Sequence, residues 1–231
     1  MKNKNILTLS LFIIVIGMSS CIKDPKPAAP AVPPVIYSYS EEFDSVGSLN
    51  GKGWVIYNNS SPVGAQAWRQ GVYQASGGGV IGFAAYTSTK SPNDFISCDD
   101  NCGSDVATIS AWLITPVTHM KNGDQIDFYT RTNTGLFPDR LQVRANFSSS
   151  STSVGKGAED VGDFTNVLLD INPGLGSNYP TTWTKYSIIL SGLSANAVDG
   201  RIAFRYYVTD GGPFGNNSDM IGIDSFSFTS N

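Results

Sequence analysis

The sequence predicts an all-β chain folded as a single antiparallel sandwich, and three observations point there. Short apolar-alternating runs recur from Val35 to the C-terminus, clusters of Gly, Asn, Ser and Pro separate them, and nothing in that region keeps the period of an amphipathic helix. The expected strands are 35–44, 54–58, 66–73, 80–86, 106–115, 124–132, 140–147, 165–170, 182–190, 201–209 and 220–228. This region of about 195 residues is long enough to bury one substantial core.

The chain opens differently. Lys2 and Lys4 precede an apolar run from Ile6 to Gly17, which is too short to span a bilayer and has the length of a signal-peptide core. Met18-Ser19-Ser20-Cys21 follows and resembles the lipobox of bacterial lipoproteins. The expectation is therefore that residues 1–20 are cleaved and that Cys21 carries the lipid. Lys23 to Pro34 holds five prolines, so residues 21–34 read as the lipidated cysteine plus an extended spacer reaching on the order of 35 Å. The location this implies is the bacterial cell envelope, at the outer membrane, facing either the periplasm or the outside. Cleavage removes two lysines and no acid, leaving 13 basic against 19 acidic residues and a formal charge of −6, which argues against a nucleic-acid partner.

In the first strand Tyr37, Tyr39, Glu41 and Phe43 share one face, and Glu42 and Asp44 the other. Two carboxylates side by side repel unless a cation or a basic group is near. Trp54, Trp68, Phe83 and Trp112 punctuate the following strands and read as core residues. Between them lies Cys98-Asp99-Asp100-Asn101-Cys102. With Cys21 used for lipid, Cys98 and Cys102 form an even pair in an oxidising compartment and are expected to be bonded. Closing so short a loop adds only about 2 kcal/mol in the chain-entropy model, so its role is local shape. Asp94, Asp99, Asp100 and Asp105 crowd this loop without the spacing of an EF-hand, and read as a solvated acidic loop.

The middle strands each have a polar side. Tyr129 and Arg131 project opposite to Ile126 and Phe128, and Gln142 and Arg144 opposite to Leu141, Val143 and Ala145. Ile202, Phe204, Tyr206 and Val208 likewise oppose Arg205 and Tyr207. If these strands are neighbours in one sheet, then Tyr129, Arg131, Gln142, Arg144, Arg205 and Tyr207 make one surface suited to a glycan or a peptide. The alternative is an ordinary solvated face with its arginines paired to Asp127 and Asp139. Ser148 to Ser153 reads as a mobile loop.

In the last strand Ile221 and Ile223 fall on one parity, and Phe226 and Phe228 on the other. All four reach the core only if an extra residue sits near Asp224-Ser225, a β-bulge that gives Asp224 its own direction. The preceding Asp210 to Asp219 segment is rich in turn residues and reads as an ordered loop at one end of the sandwich.

Several of these stretches resemble the choice-of-anchor J family, exported bacterial domains distantly similar to the cleaved-adhesin domains of surface proteases. They are Trp68-Arg69-Gln70-Gly71, Thr108 to Pro116, Phe128 to Thr132, Pro138 to Arg144, Arg201 to Val208, and Ile221-Gly222-Ile223-Asp224. The resemblance runs from about Glu42 to Phe228. It implies a jelly-roll-like β-sandwich over 35–231 and no single activity. Many jelly rolls join their first and last strands around structural Ca2+, and Glu42, Asp44 and Asp224 are the expected ligands here.

A non-catalytic binding or adhesion module for glycan or protein fits these features. A structural envelope component without a small ligand is the second reading, and a hydrolase the third. His119 is the only histidine, no G-x-S-x-G elbow occurs, and the glutamates are Glu41, Glu42 and Glu159, so triad and carboxylate-pair mechanisms lack obvious members.

Overall fold

Alternating side chains need a second layer to bury their apolar face, and two antiparallel sheets supply it here. The computed structural model describes residues 35–231 apart from 77–78, 88–89, 134–136 and 195. The expected signal peptide, Cys21 and the spacer lie outside the described residues.

In chain order the strands are β1 (Tyr39–Glu41), β2 (Val55–Asn58), β3 (Ser61–Val63), β4 (Arg69–Gln70), β5 (Tyr73–Ser76), β6 (Gly79–Gly82), β7 (Ile96–Asp99) and β8 (Gly103–Ile114). They continue as β9 (Thr118–Met120), β10 (Gln125–Thr132), β11 (Leu141–Asn146), β12 (Asn166–Ile171), β13 (Thr184–Ile189), β14 (Val198–Gly211) and β15 (Met220–Thr229). The first sheet runs β13-β10-β15-β7-β4, and β1 also pairs with β15. In the second, β12-β11-β14-β8-β2, β3 joins β8 and β9 joins β14. β7 is absent from the expected strands because the alternation of Ile96-Ser97-Cys98-Asp99 lasts only four residues and runs straight into the polar Asp100–Cys102 turn.

The core between the sheets is an aromatic chain. Phe43 packs on Trp54 at 5.5 Å, Trp54 on Phe226 at 5.3 Å, Phe226 on Phe204 at 5.8 Å and Phe204 on Phe128 at 5.0 Å, mostly edge to face. Tyr37, expected on the core side, is instead 62% exposed and leans on His119, because pairing of the first strand begins only at Tyr39.

β15 carries the expected bulge. Asp127 opposes Ser227 and Tyr129 opposes Asp224, so β15 uses one more residue than β10 over this step. Ser225 takes the extra place at φ +47°, and Ile221, Ile223, Phe226 and Phe228 all enter the core. Cys98 and Cys102 are disulfide-bonded and tie the end of β7 to the turn before β8. The surrounding acids are not a solvated set. Asp94 and Asp99 are buried; Asp94 accepts from Ser91 N at 2.8 Å, and Asp99 caps the turn through Asn101 N at 3.1 Å while pairing with Arg69.

Candidate functional site

The strands expected to share one polar surface are divided between the sheets. β11 pairs with β14, but β10 pairs with β15 and β13 in the opposite layer. Tyr129 and Arg131 therefore face away from Gln142, Arg144, Arg205 and Tyr207, and the six residues form no common face. Alternation reports which side of a strand is polar, and sheet membership is set by pairing, which it does not report.

The outer face of the second sheet is closed. Residues 153–164 cross it, and Val154 and Phe164 pack with Trp112, Ile114 and Ala203 as a small core outside the sandwich. Arg205 lies beneath this segment at 2% exposure, its guanidinium 4.9 Å from the Trp112 ring centroid and 3.8 Å from that of Tyr207. It donates to Ser110 Oγ at 3.0 Å, to Gln142 Oε1 at 3.3 Å and to the Ala158 carbonyl. Arg144 donates to the Phe164 carbonyl at 2.8 Å and shares Gln142 Oε1 at 3.2 Å. Gln142, Arg144 and Arg205 are thus buried structural groups rather than a ligand surface. Desolvation lowers Arg205 to about 10 and also lowers Arg144. Nor are these arginines paired to Asp127 or Asp139, as the alternative reading had it: Arg140 pairs with Asp170 at 2.6 Å, while Asp127 pairs with Lys185. The serine run is likewise pinned. Asn146 Oδ1 accepts from Ser148 N at 3.0 Å and Ser149 N at 3.1 Å, and the Ser150 carbonyl accepts from Arg201 at 2.8 Å.

The outer face of the first sheet is covered at one end, where Phe83, Phe95 and Met220 pack as a further small core with Trp183, and is open at the other. Tyr86, 43% exposed, stacks on Tyr129 with ring centroids 3.7 Å apart and planes 17° apart. Beside the pair, Asp127 accepts two hydrogen bonds from Gln125 at 2.9 Å and pairs with exposed Lys185 at 3.3 Å. Burial pushes the Asp127 carboxyl up, but bonds from Ser187, Gln125 and Lys185 outweigh it and hold the group below its usual range. Arg131 is partly withdrawn, its guanidinium 4.4 Å from the Phe83 ring centroid, and desolvation lowers it. An aromatic pair whose outer ring, Tyr86, is exposed and which is flanked by amide, carboxylate and ammonium groups offers apolar area together with orienting hydrogen bonds.

Asp224 lies at the bulge under this face and is fully buried. Oδ2 accepts from Tyr86 N at 2.8 Å and Thr87 N at 3.2 Å, and Oδ1 from Ser225 N at 2.7 Å. Glu42 Oε2 accepts from Ser225 Oγ at 2.7 Å and Thr87 Oγ1 at 3.0 Å, and Asp44 lies 3.6 Å from Lys90. The three residues expected to hold Ca2+ do come near one another: Glu42 and Asp44 line one small cavity with Thr87 and Ser225. Their oxygens, however, are directed to N–H and hydroxyl donors, and among the described residues no group of three His, Cys, Asp or Glu side chains has metal-binding spacing. Seating a cation on Asp224 requires Tyr86 N and Thr87 N to leave it. As arranged, Asp224 clasps the segment that presents Tyr86. Desolvation raises its carboxyl to about 7, against the opposing pull of the three N–H donors. His119, the sole histidine, bonds to Asp199 through Nδ1 at 2.6 Å.

No family model and no curated protein matches this chain. Solved structures do. The K1 cleaved adhesin domain of Lys-gingipain from Porphyromonas gingivalis W83 superposes with a TM-score of 0.53 at 20% identity, covering 84% of this chain and 98% of that one. The K3 domain of the same protein gives 0.51 at 16% identity and the K2 domain 0.50 at 17%, with the same coverages. This chain has their fold. It is an antiparallel β-sandwich, as its alternation predicts, and at these identities the likeness speaks to architecture.

Proposed function

We propose that this protein is a non-catalytic glycan-binding module that takes its ligand on the open face of the first sheet. The observation that carries the reading is the Tyr86–Tyr129 stack, exposed beside Lys185, Asp127 and Gln125 while the opposite face is sealed. A sugar ring lays its apolar face on an aromatic ring and directs its hydroxyls to planar and charged neighbours, and this surface offers both. The adhesin name of the neighbours with this fold is in keeping with a binding role. The module is presented, in this reading, by a lipid on Cys21 and the proline-rich spacer at the outer membrane of a bacterium, as a divergent member of the choice-of-anchor J group.

A printed glycan array probed with the wild type and with Tyr86→Ala, beside a glycoside-hydrolase substrate screen, tests the function. Array binding that the variant loses, without turnover, is expected. Turnover of any substrate, or an array with no signal, overturns the reading. Metabolic labelling with a fatty-acid analogue should mark the wild type and leave Cys21→Ser unmarked, and a labelled variant would remove the anchor from the proposal.

A further inference from the structure

A second feature stands apart from the open face, at the loop end of the sandwich. The end of β10, residues 137–139 ahead of β11 and the link from β12 to β13 line a cavity of about 240 Å³, with Asn133, Phe137, Asp139, Ser177, Tyr179 and Thr181 among the lining residues. Its frame is firmly built. Asn172, at φ +58°, donates to the Asp139 carbonyl at 2.7 Å and the Gly176 carbonyl at 2.8 Å, and accepts from Gly176 N at 3.0 Å. Thr132 N donates to the Pro180 carbonyl at 2.7 Å, joining the two walls. Tyr179, 4% exposed, is fixed by a 2.8 Å bond between its hydroxyl and Thr130 Oγ1.

The chemistry of the lining separates into three parts. Tyr179 and the half-exposed Phe137 supply apolar aromatic surface. Asn133, Ser177 and Thr181 supply one amide and two hydroxyls, and among the described residues no hydrogen bond engages these three side chains. The one carboxylate among the described lining residues, Asp139, is 1% exposed and already engaged: Oδ1 accepts from Tyr206 Oη and from Asp219 N at 3.0 Å, and Oδ2 from Thr132 Oγ1. The neighbouring cation, Arg140, is committed to Asp170 at 2.6 and 2.8 Å. Neither Asp139 nor Arg140 is left unengaged to select an ionic ligand, while unused donors and acceptors ring an apolar surface. The cavity also falls below the roughly 300–1,000 Å³ of sites that enclose drug-sized ligands, so it admits one ring rather than a run of them.

We infer that this cavity is a second ligand site that receives a single neutral sugar ring, the terminal residue of a glycan chain. It is independent of the open face, because its residues come from the loops at one end and none of them belongs to the Tyr86–Tyr129 surface. The two sites divide recognition: the open face lies along a chain, and the cavity accepts an end.

Saturation-transfer NMR on the full chain tests this with methyl glycosides of neutral hexoses, N-acetylhexosamines and 6-deoxyhexoses, with glucosamine and a sialic acid glycoside as charged controls. At least one neutral glycoside should give transfer. The Ser177→Ala/Thr181→Ala double variant should weaken it about tenfold, as should Phe137→Ala, while Tyr86→Ala leaves it unchanged. Ser177 and Thr181 are exposed, so the double variant keeps the test valid if Phe137→Ala perturbs the loop. Transfer from none of the neutral glycosides, transfer from the charged controls alone, or loss with Tyr86→Ala but not with the cavity variants would each overturn the inference. Loss with Tyr86→Ala alone would assign the glycoside to the open face, whose polysaccharide binding the array measures separately.

Discussion

The two outer faces of the sandwich read alike in sequence and are opposite in the fold. Each belongs to strands that alternate apolar with polar, and each carries arginine and tyrosine on the polar side. On the second sheet a covering segment brings Phe164 and the Ala158 carbonyl down onto Trp112 and Arg205, turning a polar face into a second core. On the first sheet the covering segment seals one end through Phe83, and at the other Tyr86, held by Asp224, leaves its ring partly in solvent. Arginine therefore means different things on the two faces. Arg205 is a buried three-way connector, and its polar appearance in the sequence is satisfied by backbone and side-chain acceptors rather than by a ligand.

If that contrast holds, the largest effect comes from breaking the sealed face. Arg205→Ala should lower stability by about 3–4 kcal/mol in urea unfolding, because it leaves the Ala158 carbonyl and Gln142 short of a donor and opens a void between Trp112 and Tyr207. Tyr86→Ala, on the open face, should cost less than about 1 kcal/mol. Equal losses would erase the distinction between the faces.

A smaller effect is expected from Asp139, the buried acid beneath the loop end. Burial raises its carboxyl from 3.8 to about 6, against hydrogen bonds that lower it. The folded state thus binds this proton more tightly than the unfolded state, and the contribution is favourable below pH 4 and lost as pH rises toward 6. Over that window wild type should lose on the order of 2–3 kcal/mol that Asp139→Asn does not. Asp224, raised to about 7, adds a slope of the same sign in both proteins and cancels in the difference. Parallel stability–pH curves would contradict the burial argument.

The smallest expected effect is that of calcium. With the Asp224 oxygens taken by Tyr86 N, Thr87 N and Ser225 N, the melting temperature should be the same in calcium and in chelator. A rise of several degrees with calcium, lost in Asp224→Asn, would mean that the segment through Tyr86 rearranges around an ion.

How much of this was legible beforehand follows from what alternation encodes. Period-two patterning located β8, β10, β11, β14 and β15, and the parity conflict between Ile223 and Phe226 located the bulge, since both report which side of one strand is apolar. The pairing of Cys98 with Cys102 followed from thiol arithmetic. What stayed hidden depends on contacts between distant segments. Nothing local marks Ala158 and Phe164 as a cover for β14, or places Tyr86 on Tyr129, 43 residues away in the sequence. The loop-end cavity joins Asn133 to Ser177 and Thr181, and no motif spans that separation. Trp112 carried the one available hint. A large aromatic on the polar side of a strand asks for cover, and the following Val154 and Phe164 provide it.

The most direct test of the central claim is isothermal titration of the strongest array ligand into wild type, Tyr129→Ala and Tyr207→Ala. Tyr129 lies on the open face and Tyr207 on the sealed one, where its ring stacks on Arg205. The account predicts that Tyr129→Ala weakens binding by about tenfold or more and that Tyr207→Ala leaves it within about twofold. Loss of affinity in Tyr207→Ala with full affinity in Tyr129→Ala would place the ligand on the sealed sheet and contradict the account.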